Sequence, residues 1–229
     1  MSAQNPTLVA IFAHPDDEAF GPGGTLAMYA KTHDVYLICV TKGQAGRNNT
    51  TDQERPLQDI REEELQNSAK ILGIKRLYFL DYEDGSLSNN QYHAIANDIQ
   101  VLLDELQPQT LMTFEMRGVS GHIDHIAVSM IVHFVFHKVP YTKELLLYCE
   151  REEVIKNFRN YFVYVPHGYA NKEIDRVVDI SEVWDTKVKA MYEHKSQIKD
   201  VNTILYGMKE NVKEECFLIH TKEDDTITP

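Results

Sequence analysis

Short apolar runs alternate with amphipathic segments along the first half of the chain, and this alternation is the feature that most limits its fold. Residues 7–12 (TLVAIF) and 34–40 (DVYLICV) are nearly continuous apolar runs, as expected of strands buried on both faces. Residues 57–72 place apolar or small side chains at helical spacing with charges between them, and Gly73 can end that helix. The pattern predicts an α/β, Rossmann-like fold, a mostly parallel sheet with helices on both faces.

The same alternation continues to about residue 200 and then weakens. Further strands are predicted at 76–80, 110–114, 145–150 and 161–165, with an edge strand at 174–180, and further helices at 21–31, 92–106, 120–137 and 181–198. No repeat or low-complexity linker divides the chain, so we predict one α/β domain over residues 1–229. In such sheets ligands bind beyond the carboxyl ends of the strands. We therefore expect the active site there, built from residues that directly follow strands.

Composition argues against several classes of partner. The formal net charge is −12, and no basic stripe is present, so nucleic acid is not an expected partner. The chain has no signal-peptide pattern and no uninterrupted run of 18 apolar residues, so we predict no membrane span and a cytoplasmic location. The three cysteines form no CxxC pair, which predicts neither a disulfide framework nor a thiolate zinc site. Small neutral or cationic molecules remain as the expected ligands.

The first predicted strand is followed at once by an acidic segment, His14-Pro15-Asp16-Asp17-Glu18. Carboxylates crowded into one loop repel each other unless a cation compensates them. His14 and Asp17 can converge on one metal ion, which leaves Asp16 beside it to accept a proton. The alternative is an acidic helix start, because carboxylates favour the positive end of a helix.

A second polar cluster, His122-Ile123-Asp124-His125, follows the predicted strand 110–114 and a bend at 118–121. One histidine could bind metal while the other faces substrate, oriented by a carboxylate. The alternative is a pair of solvent-facing histidines near a helix start. Together the two clusters supply two histidines and one carboxylate around an open position, which suits catalytic zinc and is compatible with Fe2+.

These clusters belong to an ordered series of motifs that spans residues 8 to 197. The series resembles the PIG-L/LmbE-type N-acetylglucosaminyl deacetylases. Its members are Ala13 to Glu18 with Gly21, Gly23, Gly24 and Thr25; the loop 41–46 (TKGQAG); Arg61, Glu64, Leu65, Ala69, Leu72 and Gly73; the turn 81–87 (DYEDGSL); Gly121 to His125; and Lys187, Ala190 and His194 to Gln197.

The resemblance implies a role for each residue of the two clusters. Asp16 would be the general base acting on zinc-bound water. His122 would stabilise the oxyanion or protonate the leaving amine, with Asp124 orienting it. The implied zinc ligands are His14, Asp17 and His125.

Two further residues are predicted to contact substrate, each with an alternative. Arg61 could instead be a salt-bridged helix residue beside residues 62–64, which are all glutamate. His194 could instead be a surface histidine. Ile123 departs from the family, which usually has proline there, and we expect only a small change in loop stiffness.

The resemblance implies a zinc-dependent hydrolase that removes the acetyl group from an N-acetylglucosamine-type sugar or glycoside, a small-molecule substrate, and assembly into a homo-oligomer. One alternative is a metal-dependent hydrolase of a non-sugar amide or ester. A second alternative is a non-catalytic nucleotide-binding domain. That domain would need a glycine-rich phosphate loop after the first strand, where the acidic segment would repel phosphate.

Overall fold

A computed structural model describes residues 5–158, 166–208 and 213–222 of the chain. The strands are β1 (Thr7–Phe12), β2 (Asp34–Thr41), β3 (Arg76–Tyr82), β4 (Thr110–Phe114), β5 (Glu144–Cys149), β6 (Arg176–Asp179) and β7 (Glu214–Thr221). The α-helices are α1 (Asp17–Phe20), α2 (Gly23–Tyr29), α3 (Leu57–Leu72), α4 (Tyr92–Leu106), α5 (Gly118–Gly121), α6 (Ile123–Lys138), α7 (Glu152–Ile155), α8 (Trp184–Glu193) and α9 (Ile198–Gly207). Short 3-10 helices lie at Lys156–Phe158, Asn171–Glu173, Ser181–Val183 and Lys195–Gln197.

The strands of the described residues form one sheet in the order β3-β2-β1-β4-β5-β7-β6. The first five strands of this order are parallel, whereas β7 runs antiparallel to both β5 and β6. From β1 the chain adds β2 and β3 on one side, then returns to place β4 and β5 on the other. This reversal opens a crevice at the carboxyl ends of β1 and β4, where sheets of this kind bind their ligands.

Helices cover both faces of the sheet, which confirms the predicted α/β architecture. Strand β1 is buried along its whole length, and its side chains alternate between two cores. Val9 and Ile11 face the core that includes side chains of α4 and α6. Leu8 and Phe12 face the core that includes Leu26 of α2 and other apolar side chains. The sheet thus holds the end of β1 rigidly at the centre of the molecule.

Helix α3 shows why the predicted boundaries hold where the local signals are strong. It spans the predicted residues, and its buried face includes Ile60, Leu65, Ala69 and Leu72. Gly73 follows with a φ of 78°, the left-handed conformation that glycine adopts without a Cβ clash.

Other boundaries differ from the predictions. The helix predicted at 120–137 is divided, because His122 adopts an extended conformation between α5 and α6. The helix predicted at 181–198 is a 3-10 turn followed by α8, which ends before the non-helical His194. The edge strand predicted at 174–180 is β6, whereas α9 and β7 were not predicted. The strand predicted at 161–165 lies outside the described residues. Among the residues described, no helix has the length and apolar character needed to cross a bilayer.

Candidate active site

The predicted metal ligands come together at the crevice between β1 and β4. His14 Nδ1 lies 3.1 Å from His125 Nε2, and His125 Nε2 lies 3.1 Å from Asp17 Oδ1. The third edge, from His14 Nδ1 to Asp17 Oδ2, measures 3.7 Å. Ligands about 2.0–2.1 Å from a tetrahedral zinc ion are separated by about 3.3 Å. The donor set and its spacing therefore fit a four-coordinate ion with one position left open.

Hydrogen bonds on the far side of each imidazole orient its metal-facing nitrogen. His14 Nε2 lies 3.0 Å from Asp84 Oδ1 and 3.2 Å from Asp124 Oδ2, so Nε2 donates to these carboxylates and Nδ1 faces the ligand cluster. His125 Nδ1 lies 3.1 Å from the carbonyl oxygen of Gly118, which leaves Nε2 as the free donor atom. Both rings are thus held in the orientation that a shared metal ion requires.

The position of Asp124 corrects its predicted role. Its carboxylate contacts His14 and accepts the Gly85 backbone N–H at 2.7 Å. Its contact with His122 is through the backbone, because the Asp124 N–H donates to His122 Nδ1 at 3.2 Å. His122 is therefore the cap of α6, and its Nε2 carries the proton. The His122 ring centroid lies 4.7 Å from that of His14, beside the ligand cluster.

The electrostatics of the cluster favour a cation. Burial opposes a charged imidazole, but the hydrogen bonds that His14 donates to the Asp124 and Asp84 carboxylates raise its pKa to about 10. Burial would raise the pKa of Asp17, yet the neighbouring His125 and His14 lower it well below its ordinary value. Positive charge is thus strongly stabilised at this position, as a binding site for a divalent ion requires.

Asp16 stands beside the ligand cluster in an unusual backbone conformation. Its φ is 113°, outside the range that most side chains adopt, and its backbone N–H donates to Glu18 Oε2 at 3.0 Å. Burial raises the pKa of Asp16 to about 7, and the charge of Arg61 partly counteracts this rise. A carboxyl group with such a pKa suits a base that works near neutral pH.

Arg61 holds Asp16 in place. Its Nη2 donates to Asp16 Oδ2 at 2.9 Å and to the carbonyl oxygen of Pro15, and its Nη1 donates to Gly43 O at 2.9 Å. The residue is only 4% exposed, so the alternative of a surface ion pair with the neighbouring glutamates is wrong. Arg61 also lines the cavity over the ligand cluster, and its contact with substrate stays a prediction.

His194 does not fit its predicted contact with substrate. Its side chain is completely buried and does not line the cavity, so the alternative of a surface histidine is also wrong. Its Nε2 lies 2.8 Å from Glu18 Oε1, which also accepts the Ser68 hydroxyl. Because Glu18 Oε2 accepts the Asp16 N–H, His194 supports the loop of Asp16 from behind.

Sequence reasoning missed Asp84 and Glu18 as parts of the site. Asp84 lies two residues beyond the end of β3, so the rule that active residues follow strands would have included it. Glu18 belongs to the first acidic segment, but its carboxylate points away from the ligands, towards Ser68 and His194. Nothing in the local sequence shows this direction.

A cavity of about 500 Å³ opens over the ligand cluster. Its polar lining consists of His14, Asp16, Asp17, Arg61, Asp84, Ser120, His122, His125, Glu150 and Asp200. Its apolar lining includes Phe20, Phe114, Val119, Tyr148, Ile155, Phe158, Ile204 and Met208. The cavity has the volume of a small-molecule site.

Residues 9–136 match the PIG-L family, described as GlcNAc-PI de-N-acetylase. The chain belongs to the PIG-L family. The matched region runs from β1 into α6 and contains all the predicted metal ligands.

Relatives with known or assigned activities act on several different glucosamine derivatives. A probable N-acetyl-alpha-D-glucosaminyl L-malate deacetylase of Bacillus cereus is 30% identical, with 83% of each chain covered. A 1D-myo-inositol 2-acetamido-2-deoxy-alpha-D-glucopyranoside deacetylase of Corynebacterium glutamicum is 30% identical over 83% of this chain and 74% of the relative. The crystallised N,N'-diacetylchitobiose deacetylase of Pyrococcus horikoshii superposes with a TM-score of 0.72 at 25% identity, covering 98% and 87% of the two chains. This PIG-L protein is thus similar to hydrolases of N-acetyl groups that differ in the remainder of the substrate.

Proposed function

We propose that this PIG-L protein is a zinc-dependent hydrolase that removes the acetyl group from an N-acetylglucosamine-type sugar or glycoside. The observation that carries the proposal is the convergence of His14 Nδ1, His125 Nε2 and the Asp17 carboxylate, at 3.1–3.7 Å, beside the buried Asp16. The substrates in the relatives' names support the sugar, and the cavity has room for a small molecule.

The donor set favours zinc among the common divalent ions. Two imidazole nitrogens and one carboxylate oxygen are typical of catalytic zinc, and Fe2+ accepts the same set. When bound, the ion supplies a Lewis acid that polarises the amide carbonyl and acidifies a water molecule.

Asp16 is the proposed base. It takes a proton from the attacking water as the new C–O bond forms at the acetyl carbon, and it returns that proton to the nitrogen as the C–N bond breaks. Acetate and the free amine are then the products. Arg61 keeps the Asp16 carboxylate fixed at 2.9 Å, so the proton acceptor is already oriented before substrate binds.

His122 is the proposed oxyanion donor. Burial and the neighbouring His14 and His125 lower its pKa, so the ring is neutral at pH 7. Because its Nδ1 accepts the Asp124 N–H, its Nε2–H points elsewhere and can donate to the oxygen on which charge develops. The backbone of Asp124 thereby sets the tautomer of His122, while its carboxylate orients His14.

The proposal is tested by acetate release from N-acetylglucosamine and its glycosides, with and without a chelator and with metal content measured on the purified protein. We expect one zinc ion per chain, activity abolished by chelation, and activity restored by zinc. Asp16→Asn should retain the metal and lose about 10²- to 10⁴-fold in kcat. Activity that survives complete metal removal would contradict the proposal.

A parallel panel of N-acetylated amines and acetate esters that carry no sugar tests the main alternative, a hydrolase of another amide or ester. The alternative of a non-catalytic nucleotide-binding domain loses its support, because the segment after β1 bears three carboxylates and the matching family is described as a de-N-acetylase. A cytoplasmic location, a homo-oligomer and a single domain over residues 1–229 stay predictions.

A further inference from the structure

Residues 194–197 (HKSQ) form a turn between α8 and α9 that the proposed reaction does not use. We call it the buried turn, because His194 and Ser196 are fully buried and Gln197 is only 5% exposed. Lys195, by contrast, points to solvent, with 68% of its side chain exposed. Buried polar groups are almost always hydrogen-bonded, so the hydrogen-bond partners of the turn show what it holds in place.

His194 holds the loop of the proposed base. Its Nε2 donates to Glu18 Oε1 at 2.8 Å, and Glu18 Oε2 accepts the Asp16 backbone N–H at 3.0 Å. The φ of Asp16 is 113°, a conformation that costs free energy and persists only where the surrounding structure imposes it. The hydrogen bond to Glu18 fixes this conformation, and His194 fixes the Glu18 carboxylate.

Packing alone does not explain a histidine at position 194. The Nδ1 atom of His194 is buried and has no hydrogen-bond partner among the described residues. Burying an unpaired polar atom destabilises a fold, so packing does not favour this side chain over an apolar one. The hydrogen bond from Nε2 to Glu18 does favour it. The contact with Glu18 is therefore the property of His194 that needs an explanation in terms of the site.

Ser196 and Gln197 hold the loop that follows β2. The carbonyl oxygen of Ser196 accepts the backbone N–H of Asn49 at 3.0 Å and its side-chain amide at 2.7 Å. Gln197 Nε2 donates to the carbonyl oxygen of Arg47 at 2.8 Å. Ser196 is itself fixed, because its N–H and its hydroxyl both donate to the Glu64 carboxylate at 2.7 Å. The buried turn thus ties this loop to helix α3.

The loop held in this way forms a wall of the cavity next to the ligand cluster. Ala45 lines the cavity, and its N–H donates to Asp84 Oδ2 at 2.9 Å. The other oxygen of that carboxylate, Asp84 Oδ1, lies 3.0 Å from His14 Nε2. The Arg47 carbonyl group that Gln197 holds lies two residues beyond Ala45. Movement of this carbonyl group would therefore move the cavity wall.

We propose that the buried turn positions both the proposed base and the cavity wall, and that its two ends act separately. His194 sets the position of Asp16, and Gln197 sets the position of residues 45–47. A displaced base slows the chemical step and lowers kcat, whereas a displaced wall weakens contacts with substrate and raises KM. This inference rests on the proposed function.

The first test replaces His194 and measures acetate release from the N-acetylglucosamine glycoside on which the parent protein is most active. His194→Leu has a similar size but cannot donate to Glu18. It should lower kcat per bound zinc about 10- to 100-fold, because a small misplacement of a reacting group has an effect of this order. KM should change by less than about twofold. His194→Gln should recover most of the kcat, since its amide nitrogen can take the place of Nε2.

The second test replaces Gln197 by methionine, which has a similar length but cannot donate to the Arg47 carbonyl oxygen. Gln197→Met should raise KM about two- to tenfold, as expected for the loss of one hydrogen bond, and leave kcat nearly unchanged. Lys195→Met, at the exposed position of the same turn, is the matched control and should change neither constant. Melting temperature and zinc content are measured for every variant.

Four results would overturn the inference. Parent kcat in a folded His194→Leu would exclude His194 as a positioning residue. If that variant does not fold, His194→Asn replaces it, since its amide is one methylene too short to reach Glu18; equal kcat for the asparagine and glutamine variants has the same meaning. Parent KM in Gln197→Met would exclude the wall. Changes of kcat and KM together in both variants would show that the turn only stabilises the fold. Absence of acetate release by the parent from every glycoside would instead overturn the proposed function.

Discussion

Replacing the two carboxylates behind His14 should weaken metal binding without removing a ligand. Asp84 and Asp124 both accept from His14 Nε2, at 3.0 and 3.2 Å, and their side chains are only 7% and 2% exposed. Loss of a carboxylate behind a ligating histidine typically costs about 10- to 100-fold in metal affinity. At about 1.4 kcal/mol per factor of ten, that is about 1.4–2.8 kcal/mol.

The structure indicates how this cost divides between the two residues. In Asp84→Asn or Asp124→Asn the other carboxylate still holds His14, so each single variant should lose about tenfold in zinc affinity. The double variant loses both charged acceptors and should lose about 100-fold or more. Glu83→Gln is the matched control, because Glu83 is exposed and next to Asp84 in sequence.

Zinc affinity is measured by competition with a chromogenic chelator, and melting temperature in excess zinc shows that each variant is folded. The two singles and the double variant form a cycle from which the coupling between the carboxylates is obtained. A double variant that is folded and binds zinc as tightly as the parent would refute the idea that these carboxylates orient His14.

Two further predictions concern the buried charged side chains of Arg61 and Lys187. Arg61 lowers the pKa of Asp16, and the base must be ionised to act. The acidic limb of the pH profile of kcat/KM should therefore move to higher pH in Arg61→Met. An acidic limb that stays in place or moves to lower pH would contradict Asp16 as the base. Lys187→Met should destabilise the fold by about 3–5 kcal/mol, since it leaves the buried Glu215 carboxylate without its cation, and should lower the melting temperature by about 6–20 °C. Lys189→Met, at an exposed position of the same helix, is its control, and equal melting temperatures for the two variants would show that the buried pair contributes nothing.

The sequence predicted those parts of the structure that depend on local pattern. Strand β1 and helix α3 have their predicted bounds, because continuous apolar residues and helical spacing with a terminal Gly73 are strong local signals. Strand β7 was missed: it is stabilised by antiparallel pairing with β5, more than 60 residues earlier, and distant pairing leaves little trace in local pattern.

The active site also has parts that local sequence pattern predicts and parts that it does not. Two clusters of predicted metal ligands at strand ends were visible in the sequence, and the fold brings them together. The direction of individual side chains was not visible. His194 was placed in the cavity although it is buried against Glu18, and Asp124 was assigned to His122 although its carboxylate contacts His14. A buried carboxylate can have two possible hydrogen-bond partners nearby. Its actual partner depends on how elements that are distant in the sequence pack around it.

The proposed catalytic residues and the far end of the cavity come from different parts of the chain. Every proposed metal ligand and proton carrier lies within residues 9–136, after strands of the parallel half of the sheet. Phe158, Ile204 and Met208 also line the cavity, but they lie beyond residue 136. Their segments contact each other, as the close approach of Phe158 to Gly207 shows. Substitutions in these later segments should therefore change the binding of substrate with little effect on the ligand cluster.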